Sequence, residues 1–464
     1  MSKKPKAGLL GLTLELYEGP HPELKRTLRG IARDIVAQLD DRLEVTFPDV
    51  CMRTTEVEAA LRQFEGEGCD LVMVVCLTYS PSLISVPALV RSPLPLVIFD
   101  TAKAASLGPE MTGQDVMENH GIHGVQDLAN VLAREGRDFQ LVVGHYQDRR
   151  ALDELVAWAR AAHTAAKLRR LKVGLLGKPF EGMGDFAVDF QKLRDNLGPQ
   201  VVQLEMADLV SSVQEVSVDD VDAEADEARR RFEIDPSLTD DLLVTSVRWS
   251  LALRRLAESL ELGALSMNFL AFRPEDGAET VPFLGASQLM REGVGYAGEG
   301  DVCCAALVAA AGRLCGPASF TEMFCPDFGG GQILLSHMGE CNLAMARQDR
   351  PIKLVAKPFA WAQVQEPAVP VVCLAPGPAT LASLTAWCEG TWRLVVTEGT
   401  IVDTPPYPNL QSPYSKFKPN STLEEFLRDY SVAGGTHHLA IVFGRQAKDF
   451  QKLATLLGIE CIVV

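Results

Sequence analysis

The sequence lacks the features of several common functional classes. No apolar run approaches the length of a membrane span, and the densest basic run, KLRRLK at 167–172, is short enough to be a helix end. The formal charge of −17 argues against nucleic acid or an anionic membrane as a partner, because both favour clustered Lys and Arg. The eleven cysteines show no CxxC spacing, so we expect reduced thiols in a cytoplasmic protein.

Phosphate-binding glycine motifs are also missing. GPEMTG and DFGGGQ have neither the G-x-G-x-x-G form nor the G-x-x-x-x-G-K-[ST] form that holds a phosphate at the start of a helix. We interpret both segments as turns, and the sequence predicts no nucleotide site.

Apolar strands alternate with amphipathic helices from the start of the chain. The predicted strands are AGLLGL, LEVTF, CDLVMVVCL, PLPLVIFD and FQLVVG, with helices around 22–40 and near 55–66. This alternation indicates a parallel sheet covered by helices. Functional side chains are then expected on loops that follow the carboxyl ends of strands.

A second α/β unit begins where VGLLG, at 173–177, repeats the opening AGLLG. It continues through QVVQLEM, a solvated acidic helix VDDVDAEADEARRRF, a long helix over much of 240–261, and GALSMNF. Beyond about residue 320 the predicted strands are GGQILLSH, IKLVAKPF, VPVVCLA, WRLVVTEGTIV and HHLAIVFG. Short strands at this spacing favour a β sandwich or barrel, so the chain is α/β with a mostly β C-terminal part.

Two of the eight histidines, His437 and His438, stand side by side before the apolar run LAIVF. Successive side chains on a strand point to opposite faces, so we expect at most one of the two to face a given site. An isolated pair of this kind is more often structural than functional. Other ionisable residues are needed to favour a functional role.

Three such residues lie in apolar or glycine-rich settings: Glu299 in GYAGEGD, Glu322 in TEMFCPDF and His337 in LLSHMGE. Glu299, between two glycines at a predicted strand-to-helix junction, is poorly placed for a salt bridge and well placed for an ion. With His438 these residues form a set of two carboxylates and two imidazoles. Without a thiolate, the set suits Mn²⁺, Co²⁺, Fe²⁺ or Mg²⁺ better than structural zinc. Such a site can polarise a sugar carbonyl while a carboxylate moves a proton between adjacent carbons.

In order and local context, GYAGEGD, TEMFCPDF, ILLSHMGE and GGTHHLAIVFG resemble the motifs of the L-arabinose isomerases. The resemblance extends to LELYEGP at 14–20, TYSPS at 78–82, IHG at 122–124 and MGDFAVD at 183–189. The sequence is therefore identified as a divergent member of the L-arabinose isomerase family, within the arabinose/fucose isomerase superfamily.

The resemblance implies two flavodoxin-like, doubly wound parallel-sheet domains followed by a mostly β, barrel-like domain. The expected boundaries are 1–168 for the substrate-contacting N-terminal domain, 169–318 for the central domain with Glu299, and 319–464 for the domain with the other candidate ligands. It also implies an aldose–ketose isomerase, an intramolecular oxidoreductase that acts on a free sugar of the L-arabinose/L-ribulose type through an enediol. A homo-oligomer, a hexamer by resemblance, with a site that subunits can share, is expected.

The resemblance also implies roles for individual residues. The implied metal ligands are Glu299, Glu322, His337 and His438, with Mn²⁺ as the expected ion. Glu299 and Glu322 would double as the acid/base pair, and which one removes the C2 proton stays open. The implied sugar contacts are Glu15, Tyr79, His123, Met183 and Phe272. His438 is the expected ligand and His437 a supporting hydrogen-bond partner, but the reverse assignment stays open.

Two departures from the family pattern leave the preferred sugar open. Leu14 and Glu15 stand where the family has Gln-His, and Cys76-Leu77 stands in the family's Trp-Met-His segment. Losing hydrogen-bonding groups from a polyol site changes substrate preference strongly. Two other functions also remain: a sugar-binding or sensing protein on the same fold, and an epimerase or lyase that uses the same enediolate.

Overall fold

A computed structural model describes residues 4–464, which form two compact units. The first unit ends at Ala166, and the second comprises Lys167–Val464. The division into three domains, with boundaries after residues 168 and 318, stays a prediction. None of the helices within 4–464 has both the length and the apolar character needed to cross a membrane.

The first unit is built around a parallel sheet. Its strands are β1 (Lys6–Leu12), β2 (Glu44–Thr46), β3 (Val50–Cys51), β4 (Leu71–Cys76), β5 (Leu96–Asp100) and β6 (Gln140–Val143). Its helices are α1 (Leu24–Leu39), α2 (Thr54–Gly66), α3 (Val86–Arg91), α4 (Gly113–Met117), α5 (Ile122–Arg134) and α6 (Arg149–Leu168), the last of which runs past the unit's end.

The strand order of this sheet is β2-β1-β4-β5-β6, with β3 pairing β1 beyond β2. Because β2 and β3 pair successive parts of the same edge of β1, the order matches the 2-1-3-4-5 arrangement of a flavodoxin-like fold. All six residues of β4 are buried, as expected for a central strand covered by helices on both faces. The predicted helices around 22–40 and 55–66 are confirmed as α1 and α2.

The second unit contains a parallel sheet and a barrel. Its strands are β7 (Lys172–Leu176), β8 (Gln200–Leu204), β9 (Glu233–Ile234), β10 (Ala264–Met267), β11 (Gly295–Gly298), β12 (Ala318–Asp327), β13 (Gln332–Ser336), β14 (Lys353–Ala356), β15 (Ala368–Val371), β16 (Gly377–Ala386), β17 (Trp392–Val402), β18 (Tyr414–Pro419), β19 (His438–Phe443) and β20 (Glu460–Val463). Its helices are α7 (Phe190–Leu197), α8 (Met206–Gln214), α9 (Val218–Arg231), α10 (Asp240–Ser259), α11 (Phe283–Arg291), α12 (Val302–Cys315), α13 (Leu423–Val432) and α14 (Ala447–Leu457).

The parallel sheet of the second unit has the order β8-β7-β10-β11, which confirms the predicted second doubly wound sheet. Helix α12 contacts β11 and β10 of this sheet as well as β12 and β19. Its sequence, VCCAALVAAAGRLC, is apolar on nearly every side, which is typical of a helix buried all round. Cys303 and Cys304 are small core residues of this helix.

Six antiparallel strands form a closed barrel in the order β16-β19-β12-β13-β18-β17, because β17 pairs back onto β16. Strand β20 adds to β17 in parallel. The expected barrel-like C-terminal part is therefore confirmed. The assignment of IKLVAKPF and VPVVCLA to it is wrong: β14 lies between β9 and β15 in a separate small sheet. Pro370 in β15 has no N–H to donate, which suits the edge position of that strand.

Candidate metal centre

Glu299 lies in the tight connection between β11 and α12, the strand-to-helix junction that was predicted. Its backbone φ is +61°, a left-handed value that is rare outside glycine and often marks a functional site. Gly300 follows with φ of +83°, and a Cβ there would lie 2.6 Å from Pro179 Cα. The backbone N–H of Phe180 donates to the Glu299 carbonyl at 2.8 Å. The turn thus holds Glu299 at the carboxyl end of β11.

Glu322, His337 and His438 come from three neighbouring barrel strands. Glu322 on β12 pairs directly with His438, the first residue of β19, so both side chains lie on one face of the barrel wall. On the other side of β12, Glu322 pairs with Ser336, the last residue of β13. His337 is the next residue in the sequence. The register of the barrel therefore gathers three residues that are far apart in the sequence.

The predicted ligands form two overlapping groups that share His438. Donor atoms of Glu322, His337 and His438 all lie within 4.8 Å of one another, and the same holds for Glu299, His437 and His438. His438 Nε2 is 3.8 Å from Glu299 Oε2, and His337 Nε2 is 4.0 Å from Glu322 Oε2. The structure brings all four predicted ligands into these two groups.

The Nδ1 atoms of the two buried imidazoles meet buried carboxylates. His438 Nδ1 is 3.0 Å from Asp301 Oδ2, and the other oxygen of Asp301 accepts the backbone N–H of Cys304 at 2.8 Å. His337 Nδ1 is 3.1 Å from Glu340 Oε1. Metal-binding histidines commonly have such a carboxylate on the nitrogen that faces away from the ion, because it orients the ring and raises its basicity.

Asp301 and Glu340 are not among the residues predicted from the sequence. The available signals were weak: Asp301 stands two residues after Glu299 in the position of an ordinary helix N-cap, and Glu340 stands three residues after His337. Burial, the largest single influence, lowers the pKa of His337, but the charge and contact of Glu340 together with the charges of Glu322 and Glu299 outweigh burial and raise the pKa. Burial would likewise raise the pKa of Glu340, and the His337 charge lowers it. Each group thus stabilises the charged form of the other.

The residues present suit a divalent cation. Nε2 of His337 and Nε2 of His438 are buried without a hydrogen-bond partner in the described part of the chain, and Nδ1 of His337 has only its ion-pair contact with Glu340. Leaving buried polar atoms unpaired costs free energy, so two such atoms beside two glutamates indicate a missing ligand. The mixed nitrogen and oxygen set, without thiolate, matches first-row divalent ions such as Mn²⁺.

The prediction that His437 and His438 point to opposite faces is wrong. Alternation applies within a strand, and β19 begins only at His438, so His437 belongs to the preceding turn. The two ring centroids are 4.2 Å apart, and a donor atom of His437 lies within 4.8 Å of donor atoms of Glu299 and His438. His437 Nδ1 is 2.6 Å from Asp185 Oδ2. The assignment of His438 as the ligand stays a prediction.

Phe186, on the loop after β7, packs against the histidine pair. Its ring stacks on His438 with centroids 5.2 Å apart and an interplanar angle of 6°, and it is 1% exposed. On another side Phe320 meets His438 edge-on at 4.9 Å. Both aromatic contacts fix the orientation of His438. Asp185 and Phe186 stand in the segment MGDFAVD but are not among the residues predicted from the sequence.

The two predicted sugar contacts of the second unit lie in different environments. Met183 is 39% exposed on the same loop as Asp185. Phe272 is 1% exposed and packs against Trp249, with ring centroids 6.4 Å apart. Met183 is thus accessible to a ligand, while Phe272 belongs to the core. Their roles in sugar binding stay predictions.

In the first unit, Tyr79 and His123 belong to a cluster of aromatic rings. Their centroids are 6.2 Å apart, and His120 lies 5.9 Å from His123. The Tyr17 hydroxyl is 3.0 Å from His120 Nε2. Tyr17 and His120 are not among the residues predicted from the sequence, although they stand within LELYEGP and just before IHG. Sugar contact by Tyr79 and His123 stays a prediction.

Glu15, which replaces a polar residue of the family loop, has a partner in the same unit. Arg53 Nε donates to Glu15 Oε1 at 2.6 Å and Arg53 Nη2 donates to Glu18 Oε2 at 2.7 Å. The Glu15 side chain is about half exposed, so one carboxylate oxygen can still meet a ligand. Its contact with a sugar stays a prediction.

Comparisons with known proteins agree with the motifs. The domain families described as the L-arabinose isomerase N-terminal, central and C-terminal domains match residues 16–170, 188–315 and 317–460. Together they cover nearly the whole chain.

Full-length relatives carry the same name. L-Arabinose isomerase from Geobacillus thermodenitrificans is 29% identical over 457 residues, which cover 93% of this chain and 89% of the relative. The enzyme of that name from Shouchella clausii is 26% identical, with 93% and 90% covered, and the one from Klebsiella pneumoniae is 29% identical, with 85% and 81% covered. A solved periplasmic solute-binding protein from Actinobacillus succinogenes with bound D-allose is 12% identical, covers 67% of this chain and 92% of its own, and has a TM-score of 0.18, too low to bear on the fold.

Proposed function

The chain belongs to the L-arabinose isomerase family, and from this premise we propose that it is a metal-dependent aldose–ketose isomerase that acts on a free sugar through an enediol. Membership makes it a sugar isomerase, that is, an intramolecular oxidoreductase. Metal dependence, the enediol route and the residue roles are the proposed part. L-Arabinose/L-ribulose is the expected type of substrate, with the exact sugar open.

One observation carries the proposal: two buried imidazole nitrogens without partners lie beside two glutamates. We propose that Glu299, Glu322, His337 and His438 hold the cation, most readily Mn²⁺, with Co²⁺, Fe²⁺ or Mg²⁺ as alternatives. Asp301 and Glu340 would orient the two imidazoles from behind.

A bound divalent cation would polarise the sugar carbonyl and stabilise negative charge on neighbouring oxygens. The glutamates would move the protons. One carboxylate takes the proton from C2 of the aldose and returns it to C1, and the other assists transfer of a proton from O2 to O1. The enediol lies between the two transfers. C1 is reduced, C2 is oxidised, and no atom is gained or lost.

The sugar-contact roles of Glu15, Tyr79, His123, Met183 and Phe272 rest on the resemblance. Glu15 carries the clearest difference from the family, because a carboxylate held by Arg53 stands where the family has a histidine. We propose that this difference alters which sugar is preferred. The proposed homo-oligomer, a hexamer by resemblance, and a location in the reducing cytoplasm rest on the family and on the eleven free thiols.

The test combines metal analysis with product analysis. Protein purified without chelator is analysed for bound metal, loaded with Mn²⁺, and incubated with a panel of pentoses, hexoses and deoxy sugars. We expect bound divalent metal and a ketose from at least one aldose, with activity lost in EDTA and restored by Mn²⁺. No ketose from any sugar in the panel would contradict the isomerase. Full turnover in EDTA-treated, metal-free protein would contradict metal dependence.

A further inference from the structure

A large cavity of the second unit lies outside the candidate metal centre. It is bounded by β9, β14 and β15 of the small sheet, by Tyr414 of β18, and by the loops 346–352 and 406–411. With its open mouth included, the cavity encloses about 1040 Å³, and small-molecule sites usually hold about 300–1,000 Å³. We propose that this cavity is a second sugar-binding site, which takes a neutral cyclic sugar. The choice of sugar rests on the proposed isomerase function, and the site itself does not.

The cavity and the candidate metal centre are separate places that share one strand pair. None of Glu299, Glu322, His337 and His438 lines the cavity. Tyr414, which does line it, is the first residue of β18 and pairs with Ser336 of β13, the residue before His337. A sugar in the cavity would therefore contact the strand that carries one candidate ligand without entering the metal centre.

The charged groups around the cavity compensate one another. Each of its three basic residues has a carboxylate within 4.0 Å. The pairs are Arg347 with Asp349 at 2.7 Å, Lys353 with Glu233 at 3.5 Å, and Arg350 with Asp403 at 3.7 Å. A phosphate or carboxylate ligand would find no uncompensated positive charge here, so a neutral ligand is favoured.

Several polar groups at the cavity wall have unused donors or acceptors. Arg350 donates from Nη1 to the Thr404 carbonyl at 2.9 Å, and no described residue accepts a hydrogen bond from its Nε or Nη2. The side-chain amide of Gln411 makes no hydrogen bond within residues 4–464. The Tyr414 hydroxyl accepts the Tyr407 N–H at 3.4 Å and donates to none of the described residues. Because a sugar hydroxyl both donates and accepts, it can pair with a guanidinium, an amide and a phenol.

Rigid apolar faces form the rest of the wall. The rings of Tyr407 and Tyr414 lie 5.1 Å apart at an angle of 47°. Pro351, Pro406 and Pro408 also line the cavity. Such side chains lose little conformational entropy when a ligand covers them, and they suit the C–H face of a sugar ring. Apolar faces with a few polar groups between them therefore favour a cyclic polyol over an inorganic ion.

The probes are the methyl pyranosides of L-arabinose, D-galactose and L-fucose. The methyl group prevents ring opening, so the probes cannot be isomerised. Their binding to the full chain is measured by equilibrium dialysis, once with Mn²⁺ and once after EDTA treatment. The variants are Arg350→Ala and Gln411→Ala, with folding checked by circular dichroism. Arg445→Ala is the matched control, because Arg445 lies outside the cavity and is also 3.7 Å from its carboxylate partner, Glu398.

We expect the EDTA-treated protein to bind one molecule of the tightest glycoside per chain, because this site needs no metal. Arg350→Ala and Gln411→Ala should each weaken that binding by about fivefold to tenfold, the loss of roughly one hydrogen bond. Arg445→Ala should leave the affinity within about twofold of the starting protein, since an exposed ion pair contributes little. A crystal of the unaltered protein soaked in that glycoside should show it in the cavity.

Three results would overturn the inference. The EDTA-treated protein could bind none of the three glycosides, which would remove the site. Unchanged affinity in folded Arg350→Ala and Gln411→Ala would place the sugar elsewhere, and an equal loss in Arg445→Ala would show a general effect of charge. Ketose formation by a protein that binds no glycoside would contradict this site alone. Glycoside binding that depends on Arg350, in a protein that makes no ketose, would contradict the proposed isomerase alone.

Discussion

At the scale of single residues, the metal centre shows one repeated arrangement. Each of its imidazoles has a carboxylate at Nδ1. The pairs are His438 with Asp301, His337 with Glu340, and His437 with Asp185. The carboxylate thereby fixes the orientation of each ring, and of its second nitrogen, before any ligand binds. Ligand binding then loses no free energy to ordering the rings.

The two glutamates have the clearest consequence for turnover. Glu299→Gln and Glu322→Gln each remove a carboxylate that we propose moves a proton. At saturating Mn²⁺ we expect each to lower kcat by roughly a hundredfold to ten-thousandfold, the usual contribution of one acid/base group. The measurement is initial-rate ketose formation, with metal content determined on the same sample. Glu181→Gln is the control, because Glu181 is exposed on the loop after β7, and this variant should keep full activity.

Turnover unchanged in a folded, metal-loaded Glu299→Gln protein would remove that residue from the chemistry. The deuterium isotope effect on ketose formation, measured for both variants with an aldose deuterated at C2, distinguishes their roles. The variant that lacks the C2 base should show the larger isotope effect, since proton removal then limits its rate.

Asp301 gives a second prediction, about metal affinity. Asp301→Asn keeps a side-chain oxygen to cap α12 but loses the negative charge beside His438 Nδ1. We expect Mn²⁺ to bind about tenfold to hundredfold more weakly, the usual cost of removing such a partner. Asp189→Asn is the matched control, because Asp189 caps α7 through two backbone N–H groups. If both variants bind Mn²⁺ like the starting protein, Asp301 serves only as a cap.

The candidate ligands could be predicted from the sequence, and their carboxylate partners could not. Glu299, Glu322, His337 and His438 each stand in a short local motif. The pairing of Asp301 with His438 joins residues 137 positions apart, and it exists only once β11 and β19 pack against α12. For His437 the local rule failed, because strand alternation was applied one residue before the strand begins.

At the scale of elements, the packing of α12 against β11 sets the position of Glu299. The two elements approach closely at Gly295, where a Cβ would lie 2.2 Å from the Ala305 carbonyl oxygen and 2.5 Å from the Ala309 nitrogen. Both neighbours are helix backbone, which cannot turn aside as a flexible side chain can. A side chain at residue 295 must therefore push β11 and α12 apart.

We expect Gly295→Ala to lower the free energy of unfolding by about 1–3 kcal/mol, the usual cost of overpacking. The variant should also bind Mn²⁺ more weakly, because Glu299 directly follows β11. Urea denaturation followed by circular dichroism measures the first effect, and Mn²⁺ titration the second. Gly312→Ala is the matched control. Its Cβ would come no closer than 4.0 Å to the Ala318 Cβ, so the helix should gain roughly 0.5–1 kcal/mol. Equal stability of the two variants would show that β11 and α12 yield without strain.

Strand positions were easier to predict than strand partners. The period and composition of IKLVAKPF and VPVVCLA located β14 and β15 correctly as strands. The prediction that both strands belong to the barrel was wrong, because β14 pairs with the two-residue β9, which lies more than a hundred residues earlier in the chain. Local patterns carry no information on a pairing at that separation.

At the scale of the whole molecule, the candidate metal centre lies entirely in one of the two units. Every residue of its two donor groups, and every carboxylate behind them, falls within Lys167–Val464. Both the parallel sheet and the barrel of that unit supply candidate ligands. The sequence indicated this sharing of ligands between an α/β part and a β part through the order of its motifs.

This location predicts where metal binding stabilises the chain. An ion that binds only the folded site adds about 2.7 kcal/mol to its stability at a free concentration a hundred times Kd. Amides of β11, β12, β13 and β19 that exchange through unfolding of the second unit should then exchange about a hundredfold more slowly in Mn²⁺ than in EDTA. Hydrogen–deuterium exchange with mass spectrometry measures this, and the amides of β1 and β4 in the first unit are the internal reference.

The exchange rates of the β1 and β4 amides show whether Mn²⁺ also stabilises the first unit. If Mn²⁺ protects the second unit alone, the two units unfold as separate cooperative units and the ion acts only on the one that holds its ligands. Equal protection of β1 and β4 would contradict that separation, and no added protection of β11 and β19 would contradict the metal centre itself. Glu322→Gln, which removes one proposed ligand, should reduce the protection of the barrel strands at the same Mn²⁺ concentration, because the occupied fraction of the site falls.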